Sequence, residues 1–335
     1  MYNRTQYVTM KQEESAVQEK TLEAIHRAIV LVTDEIGKVI IGKDDVIKKV
    51  MMAVIANGHV LLDDVPGVGK TTLAVALGRA LGLDYNRIQF TPDVLPSDIV
   101  GFSVFNKETN KFVYMPGTVN NTNLLLADEI NRTSSRTQAA LLEAMEEKQV
   151  TVDGATYKLK DPFIVIATQN QVGTAGAQML PHAQLDRFLV KLSIGYPDRE
   201  AQMKIIEERQ KTDPFEDLRK VMSPELVISM QQSALSVTLK ESLVEYITDL
   251  VEASRSSENI SLGISPRGAI AISHMAKASA IMNKRDYVTA DDIRDVFCDV
   301  CTHRILLSQK ARAEHMTARS ALEGILADTK LPFSI

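Results

Sequence analysis

The sequence of 335 residues has no tryptophan, only two cysteines and no long apolar segment. No apolar run approaches the ~18 residues that a membrane-spanning helix needs, and residues 1–14 are polar where a signal peptide is apolar. We therefore expect a cytoplasmic protein without a membrane span. Cys298 and Cys301 form one C-x-x-C pair inside a helical pattern. One pair supplies only half of a zinc site, so we interpret the cysteines as small residues on one helix face.

A surplus of positive charge is also absent. The formal net charge is −5, and lysines and arginines form no long run along the chain. This distribution argues against nucleic acid as the main partner, because nucleic-acid surfaces are basic patches or stripes. The hydrophobic share of 45% and the charged share of 24% are ordinary for a globular protein. A chain of this length is expected to form two domains.

A glycine-rich loop is the most informative motif that the chain does contain. The segment Asp-Val-Pro-Gly-Val-Gly-Lys-Thr at residues 64–71 follows a short apolar run and precedes a helical pattern. This strand–loop–helix order is the context of a phosphate-binding P-loop. Gly67 and Gly69 leave the backbone free to approach a polyphosphate, and the loop amides and the helix start present partial positive charge to it. Lys70 adds a full charge, and Thr71 offers a hydroxyl ligand for Mg²⁺.

The loop departs from the P-loop template at one position. Asp64 stands where the template has glycine, and a carboxylate beside a phosphate is unfavourable unless it points away. The Gly69-Lys70-Thr71 segment between a strand and a helix still predicts nucleotide binding. The predicted nucleotide contacts on the loop are Val65, Pro66, Gly67, Val68, Gly69, Lys70, Thr71 and Thr72.

Two acids at the end of an apolar run supply the second half of the predicted site. Residues 124–127 are continuously apolar and lead into Asp128 and Glu129, as in a strand of a parallel sheet that is buried on both faces. Ligands collect at the carboxyl ends of such strands. Asp128 can hold Mg²⁺ through its carboxylate oxygens, and Glu129 can orient the water that attacks the γ-phosphate. The glutamate favours ATP over GTP.

The periodicity of the chain changes near residue 197 and predicts two domains. The first, residues 1–197, is read as N-terminal helices plus an α/β core with a parallel sheet, and the second, residues 198–335, as a helical bundle without strands. Buried strands are expected near 59–63, 88–90, 124–129, 163–167 and 188–192, and hairpins at 102–114 and 149–159. Helices are expected at about 15–38, 46–55, 70–82, 199–211, 224–236, 239–256, 266–283, 289–309 and 317–327.

Several longer motifs in this order resemble the MoxR branch of the AAA+ ATPases. They are the P-loop at 65–71, Ala127-Asp128-Glu129-Ile130-Asn131-Arg132, the helical segment at 138–147, Ala167-Thr168-Gln169-Asn170 and Leu185-Asp186-Arg187-Phe188. The resemblance extends over about residues 20–327. It implies a P-loop AAA+ core followed by an all-α lid domain, with ATP and Mg²⁺ as ligands.

The resemblance also implies roles for residues outside the two motifs. Asn170 matches sensor 1, which hydrogen-bonds the attacking water or the γ-phosphate. Arg187 matches the arginine finger, which acts on the nucleotide of a neighbouring subunit. Arg132 and Arg136 also lie near the acidic strand and remain alternatives for the finger.

Arg267 matches sensor 2, and the local sequence agrees with an anion contact there. Ser265-Pro266-Arg267 reads as an N-cap, a proline at N1 and an arginine in the first turn. An arginine at that position opposes the helix dipole unless an anion lies opposite. The resemblance further implies that Ile40, Ile41 and Gly42 contact adenine.

The resemblance implies an ATP-driven ATPase that remodels or matures other proteins and works as a ring. The ring size it implies is a homo-hexamer. Its clients are proteins, some with von Willebrand factor A domains, and the insertion at 91–123 and the hairpin at 149–159 match the inserts that move them. Two alternatives remain open at this stage: an AAA+ nucleic-acid motor and a nucleotide-gated scaffold with little turnover. The client and the pathway are not encoded in any motif.

Overall fold

The computed structural model describes residues 22–169, 180–210 and 213–332. The strands are β1 (Val60–Asp63), β2 (Tyr85–Gln89), β3 (Gly101–Asn106), β4 (Lys111–Pro116), β5 (Leu124–Asp128), β6 (Gln149–Val152), β7 (Ala155–Lys158), β8 (Ile164–Gln169), β9 (Val190–Leu192), β10 (Ile260–Leu262) and β11 (Leu306–Leu307). Helix α1 covers residues 22–37. The other helices are α2 (Asp44–Ile55), α3 (Lys70–Leu81), α4 (Pro96–Val100), α5 (Ser135–Glu147), α6 (His182–Leu185), α7 (Arg199–Arg209), α8 (Pro224–Ser236), α9 (Glu241–Ser256), α10 (Pro266–Met282), α11 (Ala290–Cys301), α12 (Gln309–Ala313) and α13 (Ala318–Asp328).

Five parallel strands form the central sheet in the order β2-β5-β8-β1-β9. Every residue of β1, β5 and β8 is buried, as expected for strands covered on both faces by helices. Alternate residues enter two separate apolar cores: Leu124 and Leu126 pack in one, and Leu125 and Ala127 in the other. The predicted α/β fold with a parallel sheet is confirmed. All five strands point their carboxyl ends to the same edge.

The larger apolar core runs across the predicted domain boundary. It includes Ile47 and Val54 of α2 together with Met230 of α8 and Met275 of α10. The helices before the sheet therefore pack directly on the helices of the second part. The division at residue 197 stays a prediction, because the apolar packing is continuous across it.

The second part is helical, but it differs from the prediction in one region. The single helix expected at 289–309 is wrong, because α11 ends at Cys301 and the chain continues into β11 and α12. The expectation of no strands is wrong too, since β11 pairs antiparallel with β10. Buried Arg304 explains the break: its guanidinium donates hydrogen bonds to the carbonyl oxygens of Phe188 (2.7 Å) and Leu189 (3.0 Å). These bonds draw the chain toward the start of β9.

The two cysteines lie on α11 in the arrangement that the sequence suggested. Cys298 and Cys301 are both buried and both free thiols. Burial raises the pKa of each thiol above its ordinary value. A protonated, buried thiol is a poor nucleophile and a poor metal ligand, so the pair contributes apolar volume to the core.

Two antiparallel hairpins project from the core, as predicted. In the β6–β7 hairpin, Asp153 and Gly154 have φ of 50° and 79°, which is the combination that a type I′ turn requires. In the β3–β4 hairpin, Tyr114 stacks on Tyr157 of β7 with ring centroids 3.8 Å apart. The two hairpins are thus joined by an aromatic contact. Within the described ranges, no helix is both long and apolar enough to cross a membrane.

His59 connects three elements at the amino edge of the sheet. Its Nδ1 accepts a hydrogen bond from the backbone N–H of Val165 (3.0 Å). Its Nε2 lies 3.1 Å from the carbonyl oxygen of Met145 near the end of α5, so the proton of the neutral ring is on Nε2. Burial lowers the pKa of His59 to about 4. The neutral imidazole therefore ties β1, β8 and α5 together.

This burial predicts a pH-dependent stability. The unfolded chain binds a proton at His59 near pH 6.5, whereas the folded chain does so only near pH 4. The stabilisation is thus complete above pH 6.5 and is lost as the pH falls toward 4, because the unfolded state binds the proton first. We expect His59→Gln to reduce the loss of unfolding free energy between pH 7 and pH 5 by about 2 kcal/mol. Urea unfolding at both pH values measures it. His315→Gln, at an exposed position, is the control, and equal pH dependence in all three proteins contradicts the prediction.

Candidate functional site

The P-loop connects β1 to α3 at the carboxyl edge of the sheet. Gly67 and Gly69 have φ of 84° and 95°, values that glycine adopts without strain. A Cβ built on Gly67 would meet no heavy atom within 4 Å, so the loop faces open space there. α3 begins at Lys70 directly after the loop, and its first backbone N–H groups have no partner within the helix. The loop thus has the geometry of an anion cradle.

The Asp64 carboxylate is turned away from this cradle. Its Oδ1 accepts from the backbone N–H of Val65 (2.8 Å), and its Oδ2 accepts from Ser193 Oγ (2.9 Å) and the backbone N–H of Gly195 (2.7 Å). Burial raises the pKa of Asp64, but the hydrogen bonds from Gly195, Ser193 and Val65 outweigh burial and hold it below its ordinary value. Asp64 therefore fastens the loop to the segment after β9. The aspartate that replaces the template glycine therefore does not direct its negative charge at a bound phosphate.

Lys70 lies at the centre of the cradle and is buried. Its Nζ donates hydrogen bonds to the carbonyl oxygens of Asp64 (2.8 Å) and Val65 (3.3 Å), and the carbonyl oxygen of Gln169 is 3.4 Å away. Burial lowers the pKa of Lys70, while the nearby carboxylates of Asp64 and Asp128 act in the opposite direction. The cation thus sits between the P-loop and the end of β8.

One hydroxyl orients both acids at the end of β5. Thr168 of β8 donates from Oγ1 to Asp128 Oδ1 (2.6 Å) and accepts from the backbone N–H of Glu129 (2.9 Å). The parallel register pairs Ala127 with Ala167, which sets the next residues of the two strands side by side. The predicted neighbours Asp128 and Glu129 are therefore held in place from β8.

Glu129 combines a strained backbone with side-chain contacts in its own chain. Its φ of 56° and ψ of 48° are left-handed, a conformation that costs a non-glycine residue about 1–3 kcal/mol and clusters at functional sites. Its Oε2 accepts from Arg132 at 2.7 Å and from Gln89 at 3.2 Å. Arg132 thus contacts the acid of its own subunit.

Three residues of this network were missed by the sequence reading. Arg87 of β2 donates to Asp128 Oδ2 (2.6 Å) and to Gln89 Oε1 (2.8 Å), and Thr168 is the third. Thr168 could have been found, since it directly precedes the strand end that faces Asp128. Arg87 and Gln89 carried no signal, because they reach the site only through the pairing of β2 with β5.

A cleft of about 330 Å³ opens beside the P-loop and suits a base and ribose. Ile40 and Ile41, the predicted adenine contacts, form part of its wall, and Tyr196 and Arg209, which lie on either side of the predicted domain boundary, also line it. Gly42 does not line the cleft; it has φ of 72°, and a Cβ there would lie 2.8 Å from the Cβ of Ala201. The cleft and the cradle adjoin, so together they have room for the base, ribose and phosphates of a nucleotide.

The oxygen ligands predicted for Mg²⁺ come from two elements. Thr71 is the second residue of α3, and Asp128 ends β5. In the described part of the chain, no three His, Cys, Asp or Glu residues are grouped to hold a metal by themselves. This donor set fits Mg²⁺, which takes one or two protein oxygens and completes its shell with phosphates and water.

The two predicted arginines lie together at the opposite edge of the sheet. Arg187 Nε is 3.2 Å from Glu146 Oε2, and Arg267 donates to Glu146 Oε1 at 3.0 Å. Arg187 precedes β9, and Glu146 lies near the end of α5 beside the start of β1, so a four-residue strand, about 13 Å of backbone, separates the pair from the P-loop. The anion opposite the first turn of α10 is thus Glu146. Asn170, the predicted sensor 1, lies outside the described residues.

Comparisons with known proteins agree with this architecture. Residues 59–190 match the ATPase family associated with various cellular activities (AAA), and residues 252–325 match the AAA lid domain. Chaperone MoxR1 of Mycobacterium tuberculosis is 35% identical over 89% of this chain and 81% of its own length. An uncharacterized protein of Bacillus subtilis, YeaC, is 44% identical over 92% of this chain and 97% of its own.

A solved structure shows the same fold over nearly the whole chain. The crystal structure of a candidate ATPase from Cytophaga hutchinsonii superposes on this chain with a TM-score of 0.87 at 38% sequence identity. The match covers 95% of this chain and 99% of the Cytophaga chain. The strand order, the P-loop, the acid pair and these matches lead to one assignment: the chain belongs to the MoxR family of AAA+ ATPases.

Proposed function

We propose that this chain hydrolyses ATP to ADP and phosphate. Lys70 and the backbone of residues 65–72 bind the phosphates, and Glu129 orients and polarises the attacking water. Ile40 and Ile41 contact the base. The cradle, the buried cation and the acid pair meet at one edge of the sheet, where open α/β sheets bind ligands.

Mg²⁺ is the implied cofactor. Thr71 and Asp128 would hold it, and it would neutralise charge on the phosphate oxygens. Asp128 Oδ1 is bonded to Thr168 and Oδ2 to Arg87, so both oxygens are already fixed in direction. Asn170, which follows Gln169 in the sequence, is proposed as a further contact to the water or the γ-phosphate.

The predicted site residues are divided between two edges of the sheet, and this division supports the proposal of a ring. The acids and Lys70 lie at the carboxyl edge, whereas Arg187 and Arg267 lie at the amino edge, about 13 Å of strand backbone away and farther than an arginine side chain extends. Both arginines therefore serve a nucleotide bound by another copy. A head-to-tail interface forms a ring when its rotation closes, and the family suggests a hexamer in the cytoplasm.

Proteins are the proposed clients, and remodelling or maturation is the proposed task. The similarity to a chaperone supports this, and so does an exposed apolar face on the β3–β4 hairpin. Phe102, Val104, Val113 and Met115 lie on that face and are each between 42% and 50% exposed. Such a patch suits an apolar protein segment better than nucleic acid. Clients with von Willebrand factor A domains are the class that kinship suggests, and residues 198–335 act as the lid that couples hydrolysis to movement.

Replacing the proposed catalytic carboxylate of Glu129 should separate ATP binding from ATP hydrolysis. We expect Glu129→Gln to retain ATP binding and to lose at least ~10²-fold in turnover, because the amide cannot accept a proton from water. Calorimetry with Mg²⁺ measures binding, and phosphate release measures turnover. Glu143→Gln, on the exposed face of α5, is the matched control. Equal turnover in both variants would refute the role of Glu129.

Subunit mixing should show whether Arg187 acts on a neighbour. Mixed in equal amounts with Glu129→Gln chains, Arg187→Ala chains should recover about a quarter of wild-type turnover, because half of the sites keep their acid and half of those face an intact arginine. Arg136→Ala is the comparison, since that residue was an alternative finger. An equal mixture that stays inactive points to action within one chain, and a larger effect of Arg136→Ala on turnover reassigns the finger.

A third variant tests whether Arg267 acts on the nucleotide of its own subunit or on that of a neighbouring subunit. Arg267→Ala should leave the Mg²⁺–ATP affinity of the unassembled chain unchanged, because the residue lies at the far edge of the sheet from the P-loop. Turnover of the assembled protein should fall by ~10-fold or more, as for loss of a group that stabilises transferred phosphate charge. Titration with a fluorescent nucleotide at low protein concentration measures the affinity. Weaker binding there means that Arg267 contacts the nucleotide of its own subunit.

A further inference from the structure

Among the described residues, Glu146 is the carboxylate that pairs with both arginines at the amino edge. Its Oε2 lies 3.2 Å from Arg187 Nε, and its Oε1 accepts from Arg267 at 3.0 Å. The three side chains are between 31% and 44% exposed, so the cluster is open to an approaching ligand. One carboxylate thus gives one oxygen to each guanidinium.

This arrangement solves an electrostatic problem. Two guanidinium groups held close together repel each other, and a carboxylate that pairs with both offsets the repulsion while no phosphate is bound. Each guanidinium has five N–H donors, and Glu146 engages a nitrogen at only one end of each. The remaining donors stay available for phosphate oxygens, which guanidinium groups bind with matching geometry.

The backbones that carry the two arginines are tied to one another as well. Asp186, next to Arg187, accepts from buried Arg304 at 2.7 Å through Oδ1 and from Ser265 Oγ at 3.0 Å through Oδ2. Ser265 is the N-cap of α10, two residues before Arg267. Asp186 therefore fixes the two backbones, which leaves the directions of the two side chains to Glu146.

We propose that Glu146 is a positioning residue that holds Arg187 and Arg267 as a preformed pair for the terminal phosphate of the nucleotide bound by the neighbouring subunit. The proposal rests on the proposed function, since it needs a ring that hydrolyses ATP. Glu146 does not touch the nucleotide. It keeps both cations in one orientation, so that little reorganisation is needed when the phosphate charge is transferred.

The first test compares two adjacent glutamates of α5. Glu146→Gln keeps the size of the side chain and removes its charge, and we expect kcat to fall about 10–100-fold, as for misplaced catalytic groups. The affinity of the unassembled chain for Mg²⁺–ATP should not change. Glu147→Gln is the control, because Glu147 is exposed and forms no salt bridge among the described residues. It should retain wild-type kcat.

The second test locates the defect by complementation. Glu129→Gln chains cannot hydrolyse ATP but have intact arginines, whereas Glu146→Gln chains have intact acids. An equal mixture should recover about a quarter of wild-type turnover, because half of the sites are competent and half of those face an intact arginine pair. A defect in the fold or in the nucleotide site of Glu146→Gln would not be rescued by a partner.

The outcomes separate this proposal from the one it rests on. Wild-type protein without ATP turnover overturns the proposed function. If wild-type protein is active and Arg187→Ala is not, a kcat for Glu146→Gln equal to that of Glu147→Gln overturns only the positioning role. A rise in kcat overturns it too, since the carboxylate then competes with phosphate for the arginines. Absence of complementation assigns the defect to the variant's own site and rejects the proposal.

Discussion

The parallel packing of β1, β5 and β8 between two layers of helices is the constraint on which the site depends. These strands are fully buried, so their polar groups can appear only where the strands end. All the strands end at the same edge, which brings Asp128, Gln169 and the P-loop together. Buried carboxylates are stable there only with hydrogen-bond donors. Thr168 and Arg87 supply them to Asp128, and the segment after β9 supplies them to Asp64.

The same sheet separates the two halves of the proposed chemistry. Strands of four to six residues hold the acids and the arginines at opposite edges, so in the proposed ring one chain would contribute the acids of one site and the arginines of the next. Arg304 and Ser265 tie the lid helices to the segment that carries Arg187. These hydrogen bonds link the position of Arg267 to that of Arg187, and the proposed ring would use this link between subunits.

Much of the fold could be predicted because periodicity and turn chemistry are local properties. Helices α8, α9, α10 and α13 begin and end within two residues of the prediction, and the Asp153-Gly154 turn forms as expected. The break after α11 could not be predicted. Its sequence is helical in period, and the break depends on Arg304, whose carbonyl partners at Phe188 and Leu189 come from a distant strand.

The sequence by itself determined the P-loop, the acid pair and the class of fold, because each depends on neighbouring residues and on spacing along one element. Only the tertiary structure decided which way Asp64 points, that Arg87, Gln89 and Thr168 hold the acids, and that Glu146 joins Arg187 to Arg267. These contacts link residues far apart in the chain, for example 121 positions between Glu146 and Arg267. They arise from strand order and helix packing, which no local pattern encodes.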